Sequence, residues 1–178
     1  MADVVAISAH DVWAVGGLDA IHWDGRRWHR FMLEEPQIDP AEEWYVASVA
    51  ALSEKDVWAV GGGELGNTVR EPLVYHWNGR RWLRSRPDVD GELNGIAARA
   101  MNDVWAVAWD DPISVGDGST ILHWNGKTWR AGRHVLSRDL WAVAADSRKS
   151  LWAVGSTGNQ TEEDGSANPI PLIERYGC

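Results

Sequence analysis

The sequence predicts an all-β fold, a β-propeller built of four repeats, and three observations support this prediction. The phrase Asp-Val-Trp-Ala-Val starts at Asp11, Asp56 and Asp103 and returns as Ser-Leu-Trp-Ala-Val at Ser150. A second phrase, His-Trp-Asn/Asp-Gly-x-x-Trp, starts at His22, His76 and His123. No segment carries apolar residues at helical spacing over more than two turns, so we expect essentially no helix. Self-similarity at a period of roughly 45 residues is typical of a repeat architecture.

Each repeat is interpreted as four short antiparallel strands. In the third repeat, the clearest, the predicted strands are 93–99, 103–109, 120–124 and 127–131. Asn125-Gly126 predicts a two-residue type I′ turn between the last two strands, as do Asn78-Gly79 and Asp24-Gly25 in the earlier repeats. The run Val-Trp-Ala-Val is apolar on both faces of its strand, which indicates a sheet covered on both sides. Such sheets bury their faces against their neighbours around a ring, as the blades of a propeller do.

We expect one domain over residues 1–178, with repeats at about 3–31, 44–85, 93–132 and 140–178. The fourth repeat departs from the pattern, because Arg175 and Tyr176 stand where the others have His-Trp, and no Asn-Gly hairpin follows them. The last blade is therefore predicted to be incomplete. Three arrangements remain open: a ring closed by a three-stranded blade, two chains that share a larger ring, or a piece of a longer parent protein.

Composition limits the class of partner. The formal net charge of −9 disfavours nucleic acid and anionic membranes as partners. No stretch approaches the roughly 18 consecutive apolar residues of a membrane span. We see no signal peptide at the N-terminus, so we expect a cytoplasmic protein or a secreted domain whose leader was removed. Ten of the 13 tryptophans fall on repeat positions, which indicates a framework role for most of them.

The two recurring phrases, DVWAVG and HWNGxxW, resemble a bacterial family of tryptophan-rich propeller repeats that lies near the kelch and BNR/Asp-box groups. The resemblance covers nearly the whole chain. It implies a propeller fold and little about function, because proteins with these repeats are mostly uncharacterised. The turn at Trp23 to Trp28 is one residue shorter than a sialidase Asp-box, and that box is a structural hairpin even in sialidases.

The repeated polar residues are predicted to be structural. Equivalent histidines of different blades are related by rotation about the ring axis, so His22, His76 and His123 lie too far apart for the Zn–N bonds of about 2 Å that a shared zinc would need. We expect each of them to form hydrogen bonds within its own blade. Similarly, the aspartates that open the first phrase are expected to accept backbone N–H groups at a turn. The residues in question are Asp11, Asp56 and Asp103.

Neither a phosphate-binding loop nor a nucleophile elbow is present, so no catalytic residue, metal site or cofactor is predicted. The carboxylates of Asp110, Asp111 and Asp117 could hold Ca²⁺, although their loop lacks a recognisable Ca²⁺-binding pattern.

Function is expected at one end of the propeller, called here the loop face. It carries the connections from second to third strands and from one blade to the next, where the repeats differ most. The predicted loops are 16–20, 61–72, 110–119 and 155–169 within blades, and 32–43, 86–92 and 133–138 between blades. These segments are rich in carboxylates, so the face is predicted to be acidic. The candidate ligand-binding residues are Trp44, Tyr45, Arg99, Trp109, Asp110, Asp111, Trp141 and Asp146.

Arg99 and Asp146 are candidates because they are expected to line the central channel at corresponding places on neighbouring inner strands, where they either pair or mark a site. The favoured function is non-catalytic recognition of a peptide or glycan at the acidic loop face around the central channel. One alternative is a glycoside hydrolase or lyase that uses loop-face carboxylates. Another is an assembly unit, a homo-oligomer in which propeller fragments complete a ring.

Overall fold

The computed structural model describes residues 2–36, 43–65, 69–110, 118–136, 138–146, 150–161 and 167–177. The first sheet comprises β1 (Asp3–Ser8), β2 (Asp11–Gly16), β3 (Asp19–Trp23) and β4 (Trp28–Met32). The second comprises β5 (Trp44–Ser53), β6 (Asp56–Leu65), β7 (Val69–Trp77) and β8 (Trp82–Ser85). The third comprises β9 (Glu92–Ala100), β10 (Asp103–Asp110), β11 (Gly118–Trp124) and β12 (Trp129–Leu136). The fourth comprises β13 (Arg138–Ala145), β14 (Ser150–Thr161) and β15 (Ala167–Gly177).

The predicted all-β propeller architecture is confirmed. Every sheet is antiparallel with its strands in sequence order, and the fourth has three strands in the described part of the chain. The first strands of successive sheets pack side by side, β1 on β5, β5 on β9 and β9 on β13. No comparable packing joins β1 to β13 among the described residues. The described residues include no helix that is long and apolar enough to cross a membrane.

The hydrophobic core consists of layers between successive sheets. Along β6, Val57 and Ala59 point into the layer shared with the first sheet, whereas Trp58 and Val60 point into the layer shared with the third. A third layer, which includes Leu140 and Leu151, lies between the third and fourth sheets. Side chains alternate along a strand, so an uninterrupted apolar phrase supplies both layers at once.

The hairpins differ from the predicted two-residue turns. In the first sheet the last pair before the turn is Trp23 with Trp28, which leaves a four-residue loop. The Asp24 carboxylate accepts the N–H groups of Arg26 and Arg27, at 2.8 and 2.9 Å, and Gly25 has a φ of +86°. The side-chain oxygen thus satisfies two loop N–H groups and stabilises the wider turn. Asn78 and Asn125 do the same in the next two sheets.

Two of the predicted loops are largely strand. β6 and β7 remain paired as far as Leu65 and Val69, and β14 and β15 remain paired as far as Thr161 and Ala167. Glycines in these segments allow close packing of the strands. A Cβ on Gly61 would lie 1.9 Å from the carbonyl oxygen of Tyr45. Blade-to-blade segment 133–138 is also partly strand, because β12 extends to Leu136.

Candidate functional site

The repeated histidines form hydrogen bonds within their own sheets, as predicted. Nε2 of His22, His76 and His123 lies 2.8, 2.8 and 3.0 Å from the aspartate that opens the same sheet's first phrase. Each ring also stacks on the tryptophan of that phrase, with ring centroids 4.0 to 4.2 Å apart. No group of three or more His, Cys, Asp or Glu side chains placed to hold a metal ion occurs among the described residues.

The aspartates themselves play a role different from the predicted one. The hydrogen bonds seen at Asp56 come from side chains, His76 and the indole Nε1 of Trp58 at 2.9 Å, rather than from backbone N–H groups. Asp103 likewise accepts the indole N–H of Trp105 at 2.6 Å. These carboxylates therefore fix the orientation of the core tryptophan and of the histidine stacked on it.

At the loop face, five side chains form a network that connects three sheets. Glu92 Oε2 accepts the Tyr45 hydroxyl at 2.6 Å and lies 2.8 Å from Arg70 Nη1. The Arg70 guanidinium sits 4.5 Å from the ring centroid of Trp109, whose Nε1 donates to Asp139 at 3.1 Å. Tyr45 and Arg70 belong to the second sheet, Glu92 and Trp109 to the third and Asp139 to the fourth.

The chemistry of this network favours holding sheets together. Burial raises the pKa of Tyr45 above its usual range, and the hydrogen bond to the Glu92 carboxylate raises it further, so the phenol remains a proton donor. Glu92 is buried, and its carboxylate is occupied by Tyr45 and Arg70. Arg70 and Glu92 were not among the predicted site residues. Arg70 lay in a segment interpreted as loop, and the sequence contains no signal that pairs it with Glu92.

Beside this network, on the side of the second sheet that faces the first, lies a cleft of about 340 Å³. Its lining residues are Pro36, Trp44, Glu71, Pro72, Leu73, Arg84, Ser85 and Arg86. It lies toward the outer strands rather than at the mouth of the central channel, where the sequence placed the site.

The cleft exists because β8 is short. β8 ends with Ser85 opposite Val74, whereas β12 of the third sheet follows β11 as far as Gly118. A continuing strand would next approach Pro72, which has no N–H to donate. Arg86 instead turns to Glu71, and the two form an ion pair with Nη2 and Oε1 2.7 Å apart.

The predicted aromatic ligand platforms are mostly covered. Trp44 lines the cleft but is only 7% exposed, and its ring packs against Gly63. Trp109 carries Arg70 on its face. Trp141, on β13, is 53% exposed.

Arg99 lies near the end of β9 and Asp146 directly follows β13, in both cases away from the loop face. Arg99 is seven residues beyond Glu92 on β9, about 23 Å along the strand. It donates to Asp103 Oδ2 at 2.8 Å, and the Asp146 carboxylate accepts the Ser150 N–H at 2.9 Å. Asp111 and Asp117 of the suggested Ca²⁺ site lie outside the described residues, as does the side chain of Asp110.

Several carboxylates near the loop face form ion pairs with arginines. Besides Glu71 and Glu92, Asp19 binds Arg30 at 2.7 Å and Glu174 contacts Arg138. The hydrogen bond from Arg30 lowers the pKa of Asp19 below its ordinary value. The negative field predicted for this face is therefore partly neutralised where these pairs form.

Comparisons with known proteins add little. No family model matches the sequence, and no curated protein matches it. Among solved structures the chain is similar to YCF48 bound to D1 peptide, with 17% sequence identity and a TM-score of 0.40. The match covers 96% of this chain and 66% of that one, so this chain spans slightly less than two thirds of its length. At this TM-score the similarity says nothing about what this chain binds.

Proposed function

We propose that this chain is a non-catalytic recognition propeller that binds a peptide in the cleft beside the second sheet. The observation that supports this most directly is the cleft itself. Its walls combine the apolar surfaces of Trp44, Pro72 and Leu73 with a rim of mixed charge from Glu71, Arg84 and Arg86. A volume of about 340 Å³ is at the lower end of the roughly 300 to 1,000 Å³ range of ligand pockets. It suits one apolar side chain of a peptide together with its flanking backbone.

A peptide fits the cleft better than a glycan does. Sugar recognition needs an aromatic ring with an open face, and the rings of Trp44 and Trp109 are covered. A peptide side chain needs only an apolar cavity, and polar groups at the rim can bind its backbone. Glycoside hydrolysis is not favoured, because it needs two available carboxyl groups on either side of a bond. Glu71 and Glu92 are each engaged by an arginine.

The test is a selection from a random peptide library against the full chain, followed by affinity measurement with fluorescently labelled peptides. Ser85→Trp fills the cleft from an exposed rim position, and Arg81→Trp places the same bulk on the hairpin that precedes β8. We expect Ser85→Trp to weaken binding by more than about tenfold, and Arg81→Trp to change it by less than about twofold. Circular dichroism checks that both variants fold.

Failure to recover any binding peptide would refute the proposed function. Peptides that bind equally well to Ser85→Trp would show that recognition occurs elsewhere on the molecule. A parallel glycan array provides the alternative outcome, since binding of glycans alone would assign the ligand to the other class.

A further inference from the structure

The junctions between sheets follow one directional rule, which can be read from the second-strand tryptophans. Trp13 of the first sheet packs on Trp77 and Trp82 of the second, with centroid distances of 5.5 Å to both and interplanar angles of 51° and 83°. The junction between the second and third sheets repeats this arrangement, with centroid distances of 5.5 and 5.8 Å and interplanar angles of 54° and 84°. There Trp58 packs on Trp124 and Trp129. Each of the first three sheets thus has a donor face, which presents one tryptophan, and a receptor face, which presents a tryptophan pair.

The first sheet has a receptor face that no described sheet covers. Trp23 and Trp28 form the same pair as in the other sheets, 5.6 Å apart at 46°, against 5.8 Å and 49° for Trp77 and Trp82. Trp28 is 52% exposed. On the same face Val4 is 62% exposed, whereas Val49, at the equivalent position of the second sheet, is 6% exposed.

The fourth sheet has the matching donor face, also uncovered. Trp152 occupies the place of Trp13 and is 41% exposed, where Trp13 is completely buried. On the same face, Val154, two residues farther along β14, and its cross-strand partner Ile173 are exposed as well, at 41% and 70%. Arg175 and Ser150 take the places of the histidine and aspartate that accompany the donor tryptophan in the other sheets. The Arg175 guanidinium lies 5.7 Å from the centroid of the Trp152 ring and donates to Ser150 Oγ.

We propose that these two faces bind each other between two copies of the chain, Trp152 of one copy packing on the Trp23–Trp28 pair of the other. Two head-to-tail junctions of this kind close a ring of two-fold symmetry. Four sheets from each copy give eight blades, within the range of about 4 to 8 found in propellers. The two-fold axis relates the two junctions, so Trp152 of each copy contacts Trp28 of the other and the interface as a whole is isologous. This interface is separate from the peptide cleft, so either proposal can fail without the other.

A second copy of the chain fits these surfaces because the uncovered donor face and the uncovered receptor face correspond to the two sides of the junctions within the chain. The structure already contains this junction twice. One half is a donor tryptophan that packs on a cation or an imidazole, and the other half is a receptor pair at fixed angles. Contiguous exposed apolar surface of this kind is typical of a protein interface.

The test uses the full chain and measures its association by sedimentation velocity over a range of concentrations. We expect a dimer. Trp28→Arg alters the receptor face and Trp152→Ser alters the donor face. Each alone should raise the dissociation constant by at least about 30-fold, as loss of a central interface tryptophan does. Met101→Lys, an exposed apolar position on the hairpin between β9 and β10, is the control and should leave association unchanged.

Mixing the two variants makes the test specific to head-to-tail pairing. A mixed dimer keeps one intact junction, because the Trp28→Arg chain still has Trp152 and the Trp152→Ser chain still has Trp28. The mixture should therefore associate more tightly than either variant alone. A chain that stays monomeric up to its solubility limit would overturn the proposal. So would a dimer that is insensitive to either substitution, or a mixture no tighter than its components.

Discussion

Asp56→Ala should destabilise the protein more than Asp11→Ala, although both remove the same residue of the repeat. Asp56 accepts hydrogen bonds from Trp58 Nε1 and His76, whereas among the described residues Asp11 accepts one from His22 and none from an indole. Loss of the Asp56 carboxylate leaves the indole N–H of a tryptophan that is 2% exposed without a partner, which costs about 1–3 kcal/mol. The lost histidine bond adds about 1 kcal/mol. We expect a total of about 2–4 kcal/mol.

For Asp11→Ala only the histidine bond is lost. The Nε1 of Trp13 is already buried without a hydrogen-bond partner, so the substitution creates no new unsatisfied group there. The expected loss is about 1 kcal/mol. Equilibrium urea unfolding of both variants and the parent, followed by circular dichroism, measures the difference, provided that the m-values agree.

Asp56→Asn separates the hydrogen bond from the charge, because the amide oxygen can still accept the indole N–H of Trp58. It should recover at least half of the stability lost in Asp56→Ala. Equal losses in Asp11→Ala and Asp56→Ala, or a larger loss in the former, would refute the argument that the indole bond distinguishes the two sheets.

Two further predictions concern the backbone and the hairpins. Gly61→Ala should lower the free energy of unfolding by at least about 2 kcal/mol, because its Cβ would lie 1.9 Å from a backbone carbonyl oxygen. Gly17→Ala, with open space but a φ of +58°, should cost only about 1–2 kcal/mol, and urea unfolding showing the reverse order would contradict this. Asp24 has a pKa held below its usual range, chiefly by the hydrogen bond to His29. Because the pKa of Asp24 is lower in the folded state than in the unfolded state, where it is about 3.9, the ionised carboxylate stabilises the fold above that pH. This stabilisation is lost as the pH falls toward the pKa of the folded state. Asp24→Asn should therefore flatten the acid dependence of unfolding below about pH 4, and identical slopes in both proteins would contradict the assignment.

The repeat phrases made much of the fold predictable, because each packing role is local to a few residues. Val57 and Trp58 point to opposite layers by strand alternation alone, and His76 reaches Asp56 because their strands are neighbours. Where the prediction of the fold failed, the reason also lay in a few residues. Gly61 resembles a loop glycine in sequence, yet it belongs to a strand where only hydrogen fits. Nothing in the sequence distinguishes those two reasons for glycine.

The candidate site was less predictable because it depends on contacts between sheets. Arg70 and Glu92 are 22 residues apart and meet only when the second and third sheets pack. The cleft depends on where β8 ends, and Pro72 influences that end from the neighbouring strand. The sequence predicts Tyr45 and Trp109 as site residues, and the structure brings both into one network, in which Tyr45 is bonded to Glu92 and Trp109 is covered by Arg70.

The direction of the junctions determines what happens at the two ends of the series of sheets. Each of the first three sheets carries a donor face and a receptor face, and the fourth carries the donor Trp152 with Tyr176 on its other side. A series of such sheets leaves one donor and one receptor face uncovered unless its ends meet. Adding repeats cannot remove this mismatch, and only closure can, within one chain or between chains. Of the two, closure within this chain would bring β1 against β13, and the described residues show no such packing. Closure between copies uses the same two faces and needs no rearrangement of the junctions already formed. Sedimentation of the full chain therefore tests directly whether the exposed surfaces of Trp28 and Trp152 become buried between copies.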